Sequence, residues 1–221
     1  MKLAHPMLNQ VFDFDGTSVH TLIIESPEFF NAFLTDICAQ INGHKGEIVL
    51  SRGEKIIDIS SGLELITDFV TFDINQKGLI AKIISFLEKN ALDAGHYLQT
   101  NEFLHSLELY ISELFFAAPC QLSCAKLTIS NLLKSMGISV LDDFDSVPEK
   151  IIDYMSLVYE FDREKLFVTV NMRSYFGETV MNGFVKSVID HGIKLLMIEN
   201  RENTLLDNEK RIIIDQDMCE I

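Results

Sequence analysis

Apolar and polar positions change period several times along this chain, and each change marks an element. Leu166–Val170 is an unbroken apolar run rich in β-branched residues, the pattern of a strand buried on both faces. Residues 171–175 are polar and turn-like. From Gly177 to His191 the period lengthens: Val180, Met181, Phe184, Val185, Val188 and Ile189 share one helical face, while Glu178, Asn182, Lys186 and Asp190 lie elsewhere. Gly192 stands where a left-handed C-cap belongs, and residues 195–198 form a second apolar run. Strand, helix and strand in this compass make a βαβ unit, which requires a parallel sheet and a right-handed crossover. The expected core is therefore α/β.

The earlier part of the chain divides in the same way. Asp15-Gly16 lies between two β-prone runs and predicts a hairpin turn. Ser26-Pro27-Glu28 predicts a helix start, with Ser as N-cap, Pro at the first position and an acid near the positive dipole end. Phe29, Phe30, Phe33, Leu34, Ile37, Cys38 and Ile41 continue on one face until Asn42-Gly43. Residues 47–50 read as a short strand, and 51–61 as a hairpin arm or a loop carrying Arg52 and Lys55. From Gly62 to about Gly137 the pattern is mostly helical. One stripe is Leu79, Ile80, Ile83, Ile84 and Leu87; a second runs from Phe103 to Phe115 and ends before Pro119; a third spans Leu127–Met136. Residues 146–161 return as a helix opened by Ser146-Val147-Pro148-Glu149, and Arg211–Ile214 is a last strand after a charged, exposed segment. The expected division is an α/β domain of residues 1–61 plus 145–221, with a helical insertion at 62–144.

Composition narrows the function. At 221 residues, 48% hydrophobic and 23% charged, the chain is globular in type, with no apolar run of membrane-spanning length. The opening MKLAHPMLNQ has no signal-peptide apolar region, so a cytoplasmic location is expected. The four cysteines do not suggest a disulfide framework, and Cys120 and Cys124 read as small core residues rather than half of a zinc site. A net charge of −15 argues, on average, against nucleic acid. An acidic exterior can still coexist with a basic channel, and an oligomer can gather a few cations per subunit into one strong field.

Several motifs carry possible chemistry. Phe12-Asp13-Phe14-Asp15-Gly16-Thr17 matches the first motif of haloacid-dehalogenase-like phosphatases, in which the first Asp attacks phosphorus, the second is general acid/base, and magnesium lies between them. Asp142-Asp143 would be the late acidic pair. Against this alternative, residues 8–11 are half polar where a buried parallel strand is needed, 18–24 read as a strand where a loop and helix are needed, and a hairpin turn explains the same letters. Asp73 to Gly78 imitates an EF-hand start but has Lys77 at position 5 and Ile84 at position 12; Asp73 reads instead as N-cap of a helix beginning near Lys77. No phosphate-binding glycine motif occurs, so no nucleotide is expected whatever the fold.

The order of several segments resembles one family. These are Leu65-Ile66-Thr67-Asp68 with Phe72-Asp73-Ile74-Asn75, Leu133 to Ile138, Val168 to Asn171 with Ser174-Tyr175-Phe176, Leu196 to Arg201, and Ile214-Asp215-Gln216-Asp217. The chain is thereby similar to the small adaptation protein encoded beside the RNA-guided nuclease in type II-A CRISPR systems. The resemblance implies a parallel-sheet head of P-loop-NTPase-like topology without the P-loop, and an inserted helical leg. It also implies a homotetrameric ring that threads double-stranded DNA ends during spacer acquisition, with the CRISPR integrase complex and the nuclease as partners and no catalytic activity of its own. Lys134, Arg163, Lys165 and Arg201 match the family's basic positions; Arg52, Lys55, Lys77 and Lys82 are further basic candidates. Asp68 and Asp73 match family acids, read as caps. The resemblance implies bound calcium as well. The acidic stretch that would hold it corresponds here to residues 117–125, which contain no carboxylate, so calcium would need other ligands.

Overall fold

All six residues of strand β3 (Val19–Ile24) are buried because the larger sheet is built around it. Strand β8 (Lys194–Glu199) lies on one side and β9 (Glu209–Ile214) on the other, both parallel to it. β7 (Leu166–Val170) and β6 (Leu63–Ile66) complete a five-stranded parallel sheet of order β6-β7-β8-β3-β9. The computed structural model describes all 221 residues.

Alternation along the strands decides what each face covers. Leu22, Ile24, Val168, Leu196, Ile198 and Ile212 join one core with Phe29, Phe33 and Ile37 of α1 (Pro27–Ile41). A small antiparallel sheet closes that core. It contains β1 (Lys2–Ala4), β2 (Phe12–Asp13), β4 (Val49–Arg52) and β5 (Lys55–Ile57), in the order β2-β1-β4-β5. The short α2 (Ile59–Gly62) leads from it into β6. The intervening strand residues, Ile23, Phe167, Leu195 and Met197 among them, point the other way. There α6 (Val147–Phe161) and α7 (Glu178–Asp190) bury Ile151, Met155 and Val158, and Met181, Phe184 and Val188. Each such side chain contributes about 1.5–3 kcal/mol on leaving water. The N-caps are those the sequence predicts: Ser26 Oγ accepts from Phe29 N, and Ser146 Oγ from Glu149 N.

The predicted strand–helix–strand unit is β7, α7 and β8, joined by a 3-10 turn at Met172–Ser174 and by Gly192 at φ +65°. Gly16, at φ +80°, belongs to a turn in which Asp15 Oδ1 accepts from the Thr17 amide and hydroxyl. A Cβ at Gly16 would stand 2.9 Å from the Gly192 carbonyl oxygen, so two helix and strand turns are packed together through a glycine. That turn does not make the expected hairpin. Its flanking strands part, β2 to the antiparallel sheet and β3 inside the parallel one, where all six of its positions, four of them apolar, are covered.

The chain forms two compact units, Met1–Phe72 with Asp143–Ile221, and Asp73–Asp142. The helical part thus begins near residue 73 rather than at 62, because residues 63–66 pair with β7 as an edge strand of the sheet. Within the helical unit, α3 (Lys77–Ala91) packs on α5 (Ile129–Ser135). Asp73 does not cap α3. Its carboxylate accepts from Asn75 N, and the N-cap position is Gln76, which makes no side-chain cap bond. The stripe on α4 (Tyr97–Phe116) is half-buried at Leu104, Leu107, Ile111 and Phe115, and no residue of that helix is fully buried. A three-helix unit of this size cannot cover all its apolar surface. Cys120 and Cys124 are exposed, as are Cys38 and Cys219, so the expectation of core cysteines fails: residues 117–127 form no helix or strand that would turn a face inward, and only Ala118 and Leu127 among them are partly buried.

Candidate functional site

In a parallel sheet, the residues that open each strand gather at one edge. Lys165 precedes β7 and Lys194 opens β8, and Leu166 is in register with Lys194. The Lys194 ammonium donates to the Arg163 carbonyl at 2.8 Å and lies 5.3 Å from the centre of the Tyr159 ring. Arg52, at the tip of the β4–β5 hairpin and in register with Lys55, is ion-paired with Glu164 in the same turn. Arg52, Lys55, Arg163, Lys165 and Lys194 therefore share the amino-terminal edge of the sheet. Arg163 and Lys55 are exposed, and Arg163 has only a loose contact with Glu160, at 3.9 Å.

Lys165 differs from its neighbours. It is 8% exposed, its ammonium donates to the Ser61 carbonyl at 2.6 Å, and Glu64 stands 3.6 Å away. Glu64 in turn accepts from the Tyr154 hydroxyl at 2.7 Å, and burial together with that carboxylate pushes the Tyr154 phenol far above its usual value. Lys165 is thus spent on fixing α2 and β6 against β7.

The remaining sequence candidates lie elsewhere. Arg201 is exposed beyond the carboxyl end of β8. Lys77 opens α3, Lys82 is half-buried in the same helix, and Lys134 is exposed in the last turn of α5; all three belong to the helical unit. Asp68 caps a turn by accepting from the Val70 and Thr71 amides and the Thr71 hydroxyl.

The phosphatase alternative needs Asp13 at the carboxyl end of a buried parallel strand. Asp13 is instead exposed on a two-residue antiparallel strand, 3.7 Å from the N-terminal ammonium. The Thr17 amide and hydroxyl hold the Asp15 carboxyl below the usual range, the opposite of what a general acid requires.

Sequence reasoning missed two features. Lys194 was hidden inside an apolar run, although its place at the head of a parallel strand puts it beside Lys165. The second is a buried charged cluster beneath residues 200–208, which link β8 to β9 without a helix. The Arg173 and Arg211 guanidinium groups both donate to the Thr204 carbonyl, at 2.5 and 3.3 Å. Glu209 is 3.5 Å from Arg173 and 3.0 Å from Arg211. Glu199, 1% exposed, accepts from the Arg173 amide at 3.1 Å. The charges of that segment predicted an exposed connection, yet Leu206 and the Glu209 side chain are buried.

For calcium, the residues of a single chain do not fit. No three His, Cys, Asp or Glu side chains converge to hold a metal ion, and residues 117–125 offer no carboxylate. No helix is long and apolar enough to cross a membrane.

A parallel-sheet α/β unit with an inserted helical unit, carrying a partly ion-paired group of cations at one sheet edge and lacking a phosphate loop, is the class these features define. The family model described as CRISPR-associated protein (Cas_Csn2) matches residues 40–218, most of the chain, and the chain belongs to that family. No curated protein matches it.

Proposed function

We propose that this CRISPR-associated protein binds double-stranded DNA ends without regard to sequence, as a homotetrameric ring, during spacer acquisition in the cytoplasm. The observation that carries the reading is the gathering of Arg52, Lys55, Arg163 and Lys194 at one sheet edge of a chain whose net charge is −15. Arg52 is paired with Glu164 and Arg163 loosely with Glu160, so a phosphate backbone, which attracts by charge and carries no base information, would take these cations over from their carboxylates. Arg201 on the α/β unit, and separately Lys134, Lys77 and Lys82 on the helical unit, would add further phosphate contacts. Lys165 supports the site by fixing its strand. On a different face of α4 from that half-buried stripe, Leu98 at 75% and Phe116 at 91% exposure leave apolar surface that suits contact between subunits. The CRISPR integrase complex and the RNA-guided nuclease are the proposed partners in the acquisition step.

The test is a native mass spectrum with and without a short duplex, followed by binding of linear and closed circular duplexes over a salt series. Four subunits, preference for the linear form and a steep loss with salt are expected. Equal affinity for linear and circular DNA would overturn the ring reading. Arg52→Glu with Arg163→Glu should abolish binding and leave the oligomer intact.

A further inference from the structure

Residues 200–208 make an unusual crossover. Parallel strands β8 and β9, on either side of β3, are joined by an irregular segment where a helix is the common solution. Without helical hydrogen bonds its backbone needs other partners. The Asn200 amide donates to Asn171 Oδ1 at 2.9 Å, Asn171 itself being held at φ +53°. The Asp207 amide donates to Asn182 Oδ1 at 3.0 Å. Between these ends, Thr204 is gripped by Arg173 and Arg211. The Arg173 backbone is in turn fixed by Glu199 Oε1, whose partner oxygen Oε2 is buried and has no hydrogen bond.

We propose that Glu199 is a positioning residue that latches the 200–208 segment, and the Arg201 it carries, and that the latch loosens as Glu199 gives up its proton to solvent. The neutral acid can sit in this place with one oxygen accepting from the Arg173 amide. The anion cannot do so at the same cost, because its second oxygen has no donor. The charged groups that bear on Glu199 are Arg173 from the 3-10 turn, Arg201 following β8, and Glu209 from β9; β3 offers only Ile23 in register. Arg173 is itself acted on by Glu209, Arg211 and Glu178. An ionised Glu199 reaches water only by leaving the Arg173 amide, which frees the turn that holds the Arg173 guanidinium on Thr204 and Glu209, and so the clamp opens. Burial is the leading cause that pushes the Glu199 carboxyl up to about 7. If opening hydrates the carboxyl and returns it to an ordinary value, the opening constant rises about tenfold per pH unit below 7 and levels off above it.

The effect on DNA rests on the proposed role of Arg201; the latch does not. It is therefore read on the free, full-length protein by amide hydrogen exchange between pH 5 and 8, corrected for intrinsic rates, with β3 amides as reference. Protection of residues 200–208 should fall about tenfold per unit as the pH rises toward 7 and then flatten. Glu199→Gln should keep the segment protected at every pH. A wild-type profile without slope, or a slope that persists in Glu199→Gln, would overturn the proposal. Should the variant not fold, a carboxyl-carbon NMR titration of the wild type decides: a midpoint near 7 for Glu199 supports the latch, and one below 5 overturns it. Duplex affinity measured at the same pH values then tests Arg201 separately.

Discussion

The side chain of Asn75 pairs with the backbone of Val140 across 65 residues of sequence. Its amide donates to the Val140 carbonyl at 3.2 Å, and its Oδ1 accepts from the Val140 amide at 2.7 Å. One side chain thus joins the two ends of the helical unit by satisfying both polar groups of a residue that belongs to no strand or helix.

Asn75→Ala leaves both groups of Val140 without their partner. We expect the helical unit to lose about 1–3 kcal/mol, the penalty for a half-buried donor and acceptor stripped of their bonds. Asn75→Asp should also weaken it, since a carboxylate cannot donate to the carbonyl. Urea denaturation followed by exchange in residues 73–142 measures both, and an unchanged midpoint would contradict the role given to Asn75.

Lys165 and Arg163 are two residues apart and should behave differently. Lys165→Ala breaks a mostly buried ion pair and a bond to the Ser61 carbonyl; with Glu64 about a third exposed, the loss should be about 2–3 kcal/mol, below the range for fully buried pairs. Arg163→Ala removes only a loose, exposed contact with Glu160 and should leave thermal stability within experimental error. DNA binding should respond the other way once Lys165→Ala is assayed at a temperature where it is folded.

Stability should depend on pH in two opposed ways. The Glu199 carboxyl is raised to about 7, so the folded state holds a proton that the unfolded chain releases. Its stabilising share is complete below the unfolded value near 4.5 and is lost as pH rises through 7. His20 is the reverse. Burial beside Phe12 and Phe14 lowers its pKa from 6.5, and its ring nitrogen donates to the Asp13 carbonyl at 3.1 Å. Below 6.5 the unfolded chain takes up a proton that the folded ring resists, so stability falls toward acid. Thermal melts from pH 4.5 to 8 should show Glu199→Gln removing the decline toward neutrality and leaving the acid decline in place.

The proposed ring should survive a chelator. Residues 117–125 carry Cys, Pro, Leu and Ala where the family resemblance implies acids, and burying such side chains contributes about 25 cal/mol per Å² before the costs of association. Light scattering in EDTA and in millimolar calcium should give the same mass, and Leu122→Asp should lower it. Full dissociation in EDTA, reversed by calcium, would show that carboxylates from separate chains assemble a metal site.

By itself the sequence determined the local elements and the family. The strands β7 and β8, the α7 stripe, the caps at Ser26 and Ser146 and the left-handed Gly192 are set by neighbours within a few residues, and such neighbours are visible as period and composition. Tertiary structure decided what depends on pairing between distant strands. β6 falls inside the predicted helical insertion because a four-residue edge strand has too short a pattern to show. The Asp15-Gly16 turn looked like a hairpin because a turn motif does not say which sheet its flanks will join. Of the basic candidates, the sequence could name Arg52, Arg163 and Lys165, but only the folded chain shows Arg163 exposed while Lys165 and, in part, Lys194 are held by backbone carbonyls. Charge is written in the sequence; whether it meets water or a carbonyl is settled by the strand that lies beside it.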